Sequence, residues 1–311
     1  MILVTGATGF VGRALLPRLT EAGHTVRCLV RASRQTPRLP ARVAVQLAIG
    51  TLDDARALRS ALAGVDTVIH LAGVEWRGRH GDLLAVDVNG TRALVEAARE
   101  AGVGRFVFLS HLGADRASAY PVLKAKGIAE EFLRQSGVPH TIFRSALLYG
   151  REDVWTNTLA ALIRLSPGVL LLPGGGQTTL QPLWVDDLAT CMEWSLADAS
   201  FLGQTLSLGG PEFVTLRQLA LILMDKLATR RTIVGVSPVF LRWGAWFVEQ
   251  VLPHSPLTTH WLDHLAFNRL CELTSVTRYF GLQPARLEPT LDYLKEKRWW
   301  GDGLRQARPA R

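Results

Sequence analysis

Apolar positions in the first half of the chain fall into two alternating kinds of run. Short, nearly continuous β-branched runs predict strands at Ile2–Thr5, Thr25–Val30, Val43–Leu47, Thr67–Leu71, Arg105–Ser110 and Thr141–Arg144. Between them, apolar residues recur at helical spacing and predict helices over Val11–Ala22, Asp54–Leu62, Leu83–Glu100 and Val122–Ser136. Strands that alternate with helices imply βαβ units and a parallel sheet covered on both faces. The absence of polar alternation within the strands fits that double cover. The fold class expected is α/β, a doubly wound parallel sheet of Rossmann type with a smaller, mostly helical C-terminal lobe.

After about residue 150 the alternation loosens. Pro173–Gly176 reads as a loop, and helices follow near Leu216–Leu227 and Pro238–Leu252, with more helix around Leu287–Arg298. The expected division is 1–150 as a dinucleotide-binding domain that also receives parts of 180–200, and 151–311 as a lobe for substrate or partner, closing over the carboxyl edge of the sheet.

Composition narrows the class. The chain has 311 residues, 48% apolar and 20% charged, enough to bury a sizeable core. No run approaches the roughly 18 apolar residues of a spanning helix. The N-terminus lacks the basic flank and cleavage site of a secretory signal. Cys28, Cys191 and Cys271 lie too far apart for a disulfide framework or a metal cluster, which fits a reducing cytoplasm.

The formal net charge is +8, and part of it is local: Arg27, Arg31, Arg34, Arg38 and Arg42 share a stretch, 22–52, with no Asp or Glu. That stretch is either a solvated basic loop or a place for a phosphate, an acidic partner or an anionic lipid surface. Nucleic acid is not expected, because no helix-turn-helix, zinc-finger or aromatic-sheet pattern accompanies the arginines.

The chemistry begins at "VTGATGFVG", Val4 to Gly12. Gly6, Gly9 and Gly12 follow a strand directly and open a helix directly. Gly6 suits the tight turn, Gly9 lets a pyrophosphate approach the backbone, and Gly12 lets the helix pack against the sheet. Thr8, Phe10 and Val11 complete the loop and first turn, where free amides and the helix dipole favour a dinucleotide phosphate. An acid at the end of the second strand would bind the ribose 2′-hydroxyl of NAD. Here the strand ends in Arg31, with Ser33 and Arg34 beside it, a set that attracts a 2′-phosphate. NADP(H) is therefore favoured over NAD(H).

Further motifs follow in order: "DTVIHLAG" (66–73), "DVNGTRALVEAA" (87–98), "FVFLS" (106–110), Tyr120-x-x-x-Lys124, "RSALLYG" (144–150) and "LQPLWVDDLA" (180–189). With the glycine run, they make the chain resemble the short-chain dehydrogenase/reductase superfamily, in its extended or atypical branches. "SHLGADRASAYPVLKAKGIAE", "LPGGGQTTLQPLWVDDLA" and "LSLGGPEFVTLRQL" resemble the subgroup that contains the nucleotide-binding accessory subunit of respiratory complex I and its bacterial relatives. That subgroup implies a bound NADPH, held structurally rather than turned over.

The superfamily resemblance implies Tyr120 as the proton donor, with Lys124 lowering its pKa and binding the nicotinamide ribose, and Ser110 as a further hydroxyl. It also implies Leu52, Leu71, Ala72 and Gly73 along the nucleotide. Two departures weaken catalysis. Pro121 pushes Tyr120 out of helical geometry, to the helix cap. Leu112 stands where extended relatives carry a Ser or Thr, which removes a donor to the substrate oxygen. Thr51 replaces the adenine-contacting Asp of many relatives. His70 and His111 read as satisfied polar groups, Asn89 as a buried structural amide, and Asp186 and Asp187 as the first turn of a helix.

The functional readings are an oxidoreductase or a structural NADPH holder, a nucleotide-sugar epimerase or dehydratase, and a non-catalytic assembly or membrane-docking protein. The substrate is unknown. Partners would be a protein complex or an anionic membrane surface, and the location cytoplasmic or peripheral to a membrane. Phe240, Trp243, Phe247 and Val251 share a helical face that is expected to pack on the core, with docking on a membrane or a partner as the alternative.

Overall fold

A computed structural model describes residues 1–33, 39–41, 43–251 and 257–296. In chain order the first elements are β1 (Ile2–Thr5), α1 (Phe10–Glu21), β2 (Val26–Val30), β3 (Gln46–Ile49), α2 (Ala55–Leu62), β4 (Thr67–His70), α3 (Thr91–Glu100), β5 (Arg105–His111), α4 (Pro121–Gln135) and β6 (His140–Ser145). Next come β7 (Leu148–Tyr149), α5 (Trp155–Leu165), β8 (Val169–Pro173), β9 (Thr179–Leu180), β10 (Leu183–Trp184), α6 (Val185–Trp194) and β11 (Thr205–Leu208). The rest is β12 (Val214–Thr215), α7 (Leu216–Lys226), β13 (Thr232–Val236), α8 (Pro238–Val251), α9 (Thr259–Asp263), α10 (Ser275–Phe280), α11 (Leu287–Thr290) and α12 (Tyr293–Glu296).

The chain divides into two compact units. The first comprises Met1–Val74, Asp82–Ser145 and Val185–Leu208. Its seven-stranded sheet has the order β11-β6-β5-β4-β1-β2-β3, and every pairing is parallel. The order reverses at β1, the topological switch point of a Rossmann-type sheet. β1 is buried at all four residues because helices cover both of its faces. One face packs Leu3, Val68, Phe106, Phe108 and Ile142 against Leu58, Leu62, Leu94 and Leu133 of α2, α3 and α4. Each such side chain contributes roughly 1.5–3 kcal/mol on burial.

Three expectations shift. The third strand runs over Gln46–Ile49 rather than Val43–Leu47, because β2 pairs Arg27 with Gln46 and Val30 with Ile49. It is the sheet edge, so Leu47 and Ile49 are exposed. The helix expected over 83–100 is two pieces, a π-helical turn over Leu84–Gly90 and then α3. The seventh strand, β11, was not expected; "TLSL" is too short to stand out from its loops.

The second unit comprises Glu75–Gly81, Ala146–Trp184 and Gly209–Arg311. Three two-stranded ribbons (β10 with β7, β12 with β9, β13 with β8) accompany its helices. Its core stacks Trp155 on Trp261 at 5.3 Å, with Leu159, Leu219 and Leu223 around them. α7 starts with a capping box, in which the Gln218 amide donates to the Thr215 hydroxyl at 3.1 Å and the Thr215 amide donates to the Gln218 side chain at 2.7 Å. Pro289 falls where one long final helix was expected, and α11 and α12 are short turns instead.

α8 departs most from expectation. Its aromatic face is not core: Phe240, Trp243 and Phe247 are 71%, 66% and 62% exposed. No helix among the described residues is long and apolar enough to cross a membrane.

Phe106 is wholly buried at the centre of the first unit's core. Phe106→Ala should lower unfolding stability by about 3–5 kcal/mol through lost burial and a residual cavity. The denaturant midpoint should fall with the slope unchanged.

Candidate functional site

The site grows from the carboxyl edge of the first unit's sheet. β1 ends at Thr5, and Gly6 takes φ +72°, a left-handed conformation that L side chains rarely adopt. A Cβ there would lie 2.6 Å from the Ala72 amide nitrogen and the Leu71 carbonyl carbon. A Cβ on Gly12 would lie 2.5 Å from the Gly6 oxygen. Gly9 differs: it is exposed, and a Cβ on it would meet only the Gly6 oxygen, at 3.1 Å. Gly6 and Gly12 are thus required by packing, while Gly9 keeps an open face.

Gly9 caps α1 without a side-chain hydrogen bond, and the first turn holds no acid. The first-turn amides and the positive end of the dipole therefore suit an anion. Thr8 is exposed, and Phe10 and Val11 are half-buried. This bare-backbone cradle fits a dinucleotide pyrophosphate.

On one side of the cradle stands the end of β2. Arg31 and Ser33 are exposed there. Arg34, with Arg38 and Arg42, lies outside the described residues. The next loop holds Thr51, whose hydroxyl keeps the Asp53 carboxyl below its ordinary range. Leu52 is half-buried, and a Cβ on Gly90 would meet its side chain at 3.0 Å.

On the other side, the Leu71 amide donates to Thr5 O at 3.1 Å, which carries the β4 exit along the glycine turn. Leu71 and Ala72 are half-buried and Gly73 is exposed. A Cβ on Gly73 would sit 2.9 Å from Asp87 Oδ1 and 3.5 Å from Lys126 Nζ. Lys126 and Asp87 pair at 3.0 Å, and both are buried. The second Asp87 oxygen accepts from the Val74 amide at 3.1 Å, and the lysine lies over the Phe108 ring at 5.3 Å. The π-helical turn is what aims Asp87 at this point; such turns often accompany functional sites.

α4 begins at Pro121, and Tyr120 is its cap, half-exposed and extended at φ −91°, ψ 119°. The Lys124 amide donates to Tyr120 O at 2.9 Å, so the two meet through backbone. The Lys124 side chain, however, lies on the exposed face. The buried face of α4 carries Val122, Leu123, Lys126, Glu130 and Leu133. Lys126, which the Y-x-x-x-K spacing passed over, is the lysine beside Gly73. A signal existed: it is a lysine on an apolar stripe of period 3.6. The residue four positions before it, on the same face, is Val122, 5% exposed.

Ser110 is fully buried, and its hydroxyl donates to Glu130 at 2.5 Å. Glu130 also accepts from Arg134 at 2.6 Å and from Arg144 at 2.7 Å. The two guanidinium groups offset the cost of burying that carboxylate. Leu112 is buried, and its amide donates to Ser145 O at 2.9 Å.

His70 is a satisfied core group: its ring nitrogens meet the hydroxyls of Thr5 at 2.5 Å and Thr91 at 2.9 Å. Burial, helped by the Lys126 charge, pushes its pKa down to about 3. His111 is half-exposed. Among the described residues no cluster of acids, histidines and cysteines could hold a metal. Asp186 and Asp187 occupy the first turn of α6. Asn89 is exposed rather than buried, because the π-helical turn rotates it outward.

A family model described as NAD(P)H-binding matches residues 6–160. The mitochondrial NADH dehydrogenase (ubiquinone) 1 alpha subcomplex subunit 9 of Arabidopsis thaliana is 33% identical over 233 residues, 72% of this chain and 57% of that protein. The chain thus spans little more than half of that relative. The protein of the same name from Mus musculus is 28% identical over 321 residues, 99% of this chain and 84% of that protein. In fold, the chain is similar to the NADPH-dependent quinone oxidoreductase of Escherichia coli solved with NADPH. The TM-score is 0.76 at 22% identity, over 94% of this chain and 99% of that one.

Two outcomes follow from this geometry. Gly9→Val adds a side chain to the open face of the turn without a positive-φ penalty. It should leave the circular dichroism spectrum unchanged and weaken NADPH binding roughly a hundredfold, about 2.7 kcal/mol, in a calorimetric titration. His70 is neutral when folded but protonates near its ordinary value of about 6.5 when unfolded. The unfolded chain therefore takes up the proton as pH falls from about 6.5 toward 3, and stability drops by about 1.4 kcal/mol per unit. Urea unfolding of His70→Gln should lack that component of the slope.

Proposed function

We propose that this chain, which belongs to the NAD(P)H-binding family of atypical short-chain reductase type, holds NADP(H) as a resident structural nucleotide rather than turning it over. One observation carries the reading: the buried lysine beside Gly73 has Val122, not a phenol, four residues before it. Hydride transfer to a carbonyl needs a proton at the substrate oxygen. An isopropyl group supplies none, and the Ser110 proton is committed to Glu130.

When bound, the nucleotide would bring a hydride-carrying ring; the chain's own residues bind and orient it. Amides of the Gly9–Gly12 turn receive the pyrophosphate. Arg31 and Ser33 stand where a 2′-phosphate would be recognised, and 22–52 holds no carboxylate to repel it. Asp87 orients Lys126 toward the sugar that would lie against Gly73.

The mitochondrial relatives are named as subunits of NADH dehydrogenase, which supports a role for this chain as the nucleotide-holding part of a protein assembly. A weak oxidoreductase is the second reading, favoured by the half-exposed Tyr120 ring at the start of α4. Nucleotide-sugar epimerisation is disfavoured by Leu112, a buried hydrocarbon where a hydroxyl is wanted.

Denaturing the purified protein should release NADP(H) close to one per chain. The intact protein should not consume NADPH with quinones or aldehydes. Turnover that Tyr120→Phe abolishes would select the second reading; no released nucleotide would overturn the first. Arg31→Ala with Ser33→Ala should weaken NADPH binding about tenfold to a hundredfold and leave NADH binding unchanged.

A further inference from the structure

α8 is amphipathic with the wrong side out for a core helix. At 100° per residue, Trp246, Val239, Trp243, Phe247, Phe240 and Val251 share an arc of about 140°. All six are exposed, from 44% at Trp246 to 71% at Phe240. Gln250 is the one polar side chain within the arc. The opposite side carries the buried residues, Ala245 and Glu249. That side is tied to α9 by polar contacts: Glu249 accepts from the Thr259 amide at 3.1 Å, and Arg242 pairs with Asp263. The helix is thus fastened by its polar side, and its aromatic side meets the surroundings.

The approach to α8 is built alike. β13 pairs with β8 so that Val234 faces Leu171, and both are exposed together with Val169. One residue, Ser237, links that ribbon to the helix.

Charge distinguishes the occupants. Between Ala228 and Val251 stand Arg230, Arg231 and Arg242 and a single acid, Glu249, which is buried. A second copy would bring one +8 chain against another. Arg242 is answered by Asp263, but an anionic bilayer would accept Arg230, which is exposed, and Arg231 at its phosphates, and the Trp and Phe side chains at the headgroup boundary. The helix has 14 residues, about 21 Å of length, too short to cross a hydrocarbon core of about 30 Å. It can only lie along the surface.

We propose that α8 docks the protein on an anionic membrane by sinking this aromatic face into the headgroup layer, with its axis in the membrane plane. The inference rests on α8 and its surroundings, not on the nucleotide reading.

The test is co-sedimentation of the full chain with phosphatidylcholine vesicles that contain about a third phosphatidylglycerol. The wild type should pellet with them, and tryptophan emission should shift to the blue. Trp243→Gln with Phe247→Gln should lower the vesicle partition about tenfold or more while bound NADP(H) and melting temperature stay unchanged. Salt of about 1 M, or vesicles of phosphatidylcholine alone, should weaken binding several-fold. Three results would overturn the proposal. One is a wild type that stays in the supernatant. Another is equal pelleting of the double variant. The third is a wild type that forms dimers without lipid while the double variant is monomeric, which would make the face a contact between copies.

Discussion

The contact on which the first unit depends is between stretches of backbone. The exit of β1, the start of α1 and the exit of β4 meet with no room for a Cβ at Gly6 or Gly12. That closeness lets the β4 exit run beside the glycine turn, bonded through the Leu71 amide to Thr5 O. It also leaves the first-turn amides of α1 without protein side-chain partners at the cap. Packing would normally bury such groups or cap them. Here the same glycines that allow dense packing on one side keep a donor surface open on the other. Fold and binding are two results of one steric constraint.

Much of that was legible in the residues. A strand of four apolar residues, three glycines and an amphipathic run specify β1, the turn and α1 nearly alone, since each local preference agrees with its neighbours. β2, β4, β5 and α2 stand within a residue or two of their expected bounds for the same reason. Elements set by pairing rather than by local pattern were not legible. β3 slides to Gln46–Ile49 because β2 dictates its register and, at the sheet edge, little else does. β11 exists because β6 offers an open edge to "TLSL". The π-helical turn at 84–90 follows from a demand of tertiary structure, the burial of Asp87 against Val74 and Lys126.

The aromatic face of α8 marks a different limit. Periodicity identifies which side chains share a face; it does not say whether that face looks inward. Glu249 and Arg242 decide it, because each finds a partner on α9 and pulls the polar side in. A carboxylate buried on the less hydrophobic side of a helix is the only trace in the residues themselves, and it is faint without the position of Thr259.

α4 shows the same ambiguity with chemical consequences. Two lysines two positions apart, Lys124 and Lys126, point roughly 200° apart on a helix. A motif search chooses between them by distance from a tyrosine. Burial chooses by the stripe Val122, Lys126, Glu130 and Leu133. The stripe decides, because a charge on the buried face persists only where something answers it, and Asp87 answers Lys126 as the arginines answer Glu130. With Lys126 as the inward lysine, the residue one turn before it is a valine, and no hydroxyl stands at that position of the face. Tyr120, displaced to the cap by Pro121, is on neither stripe. That face of α4 thus pairs a buried charge beside Gly73 with a hydrocarbon one turn before it.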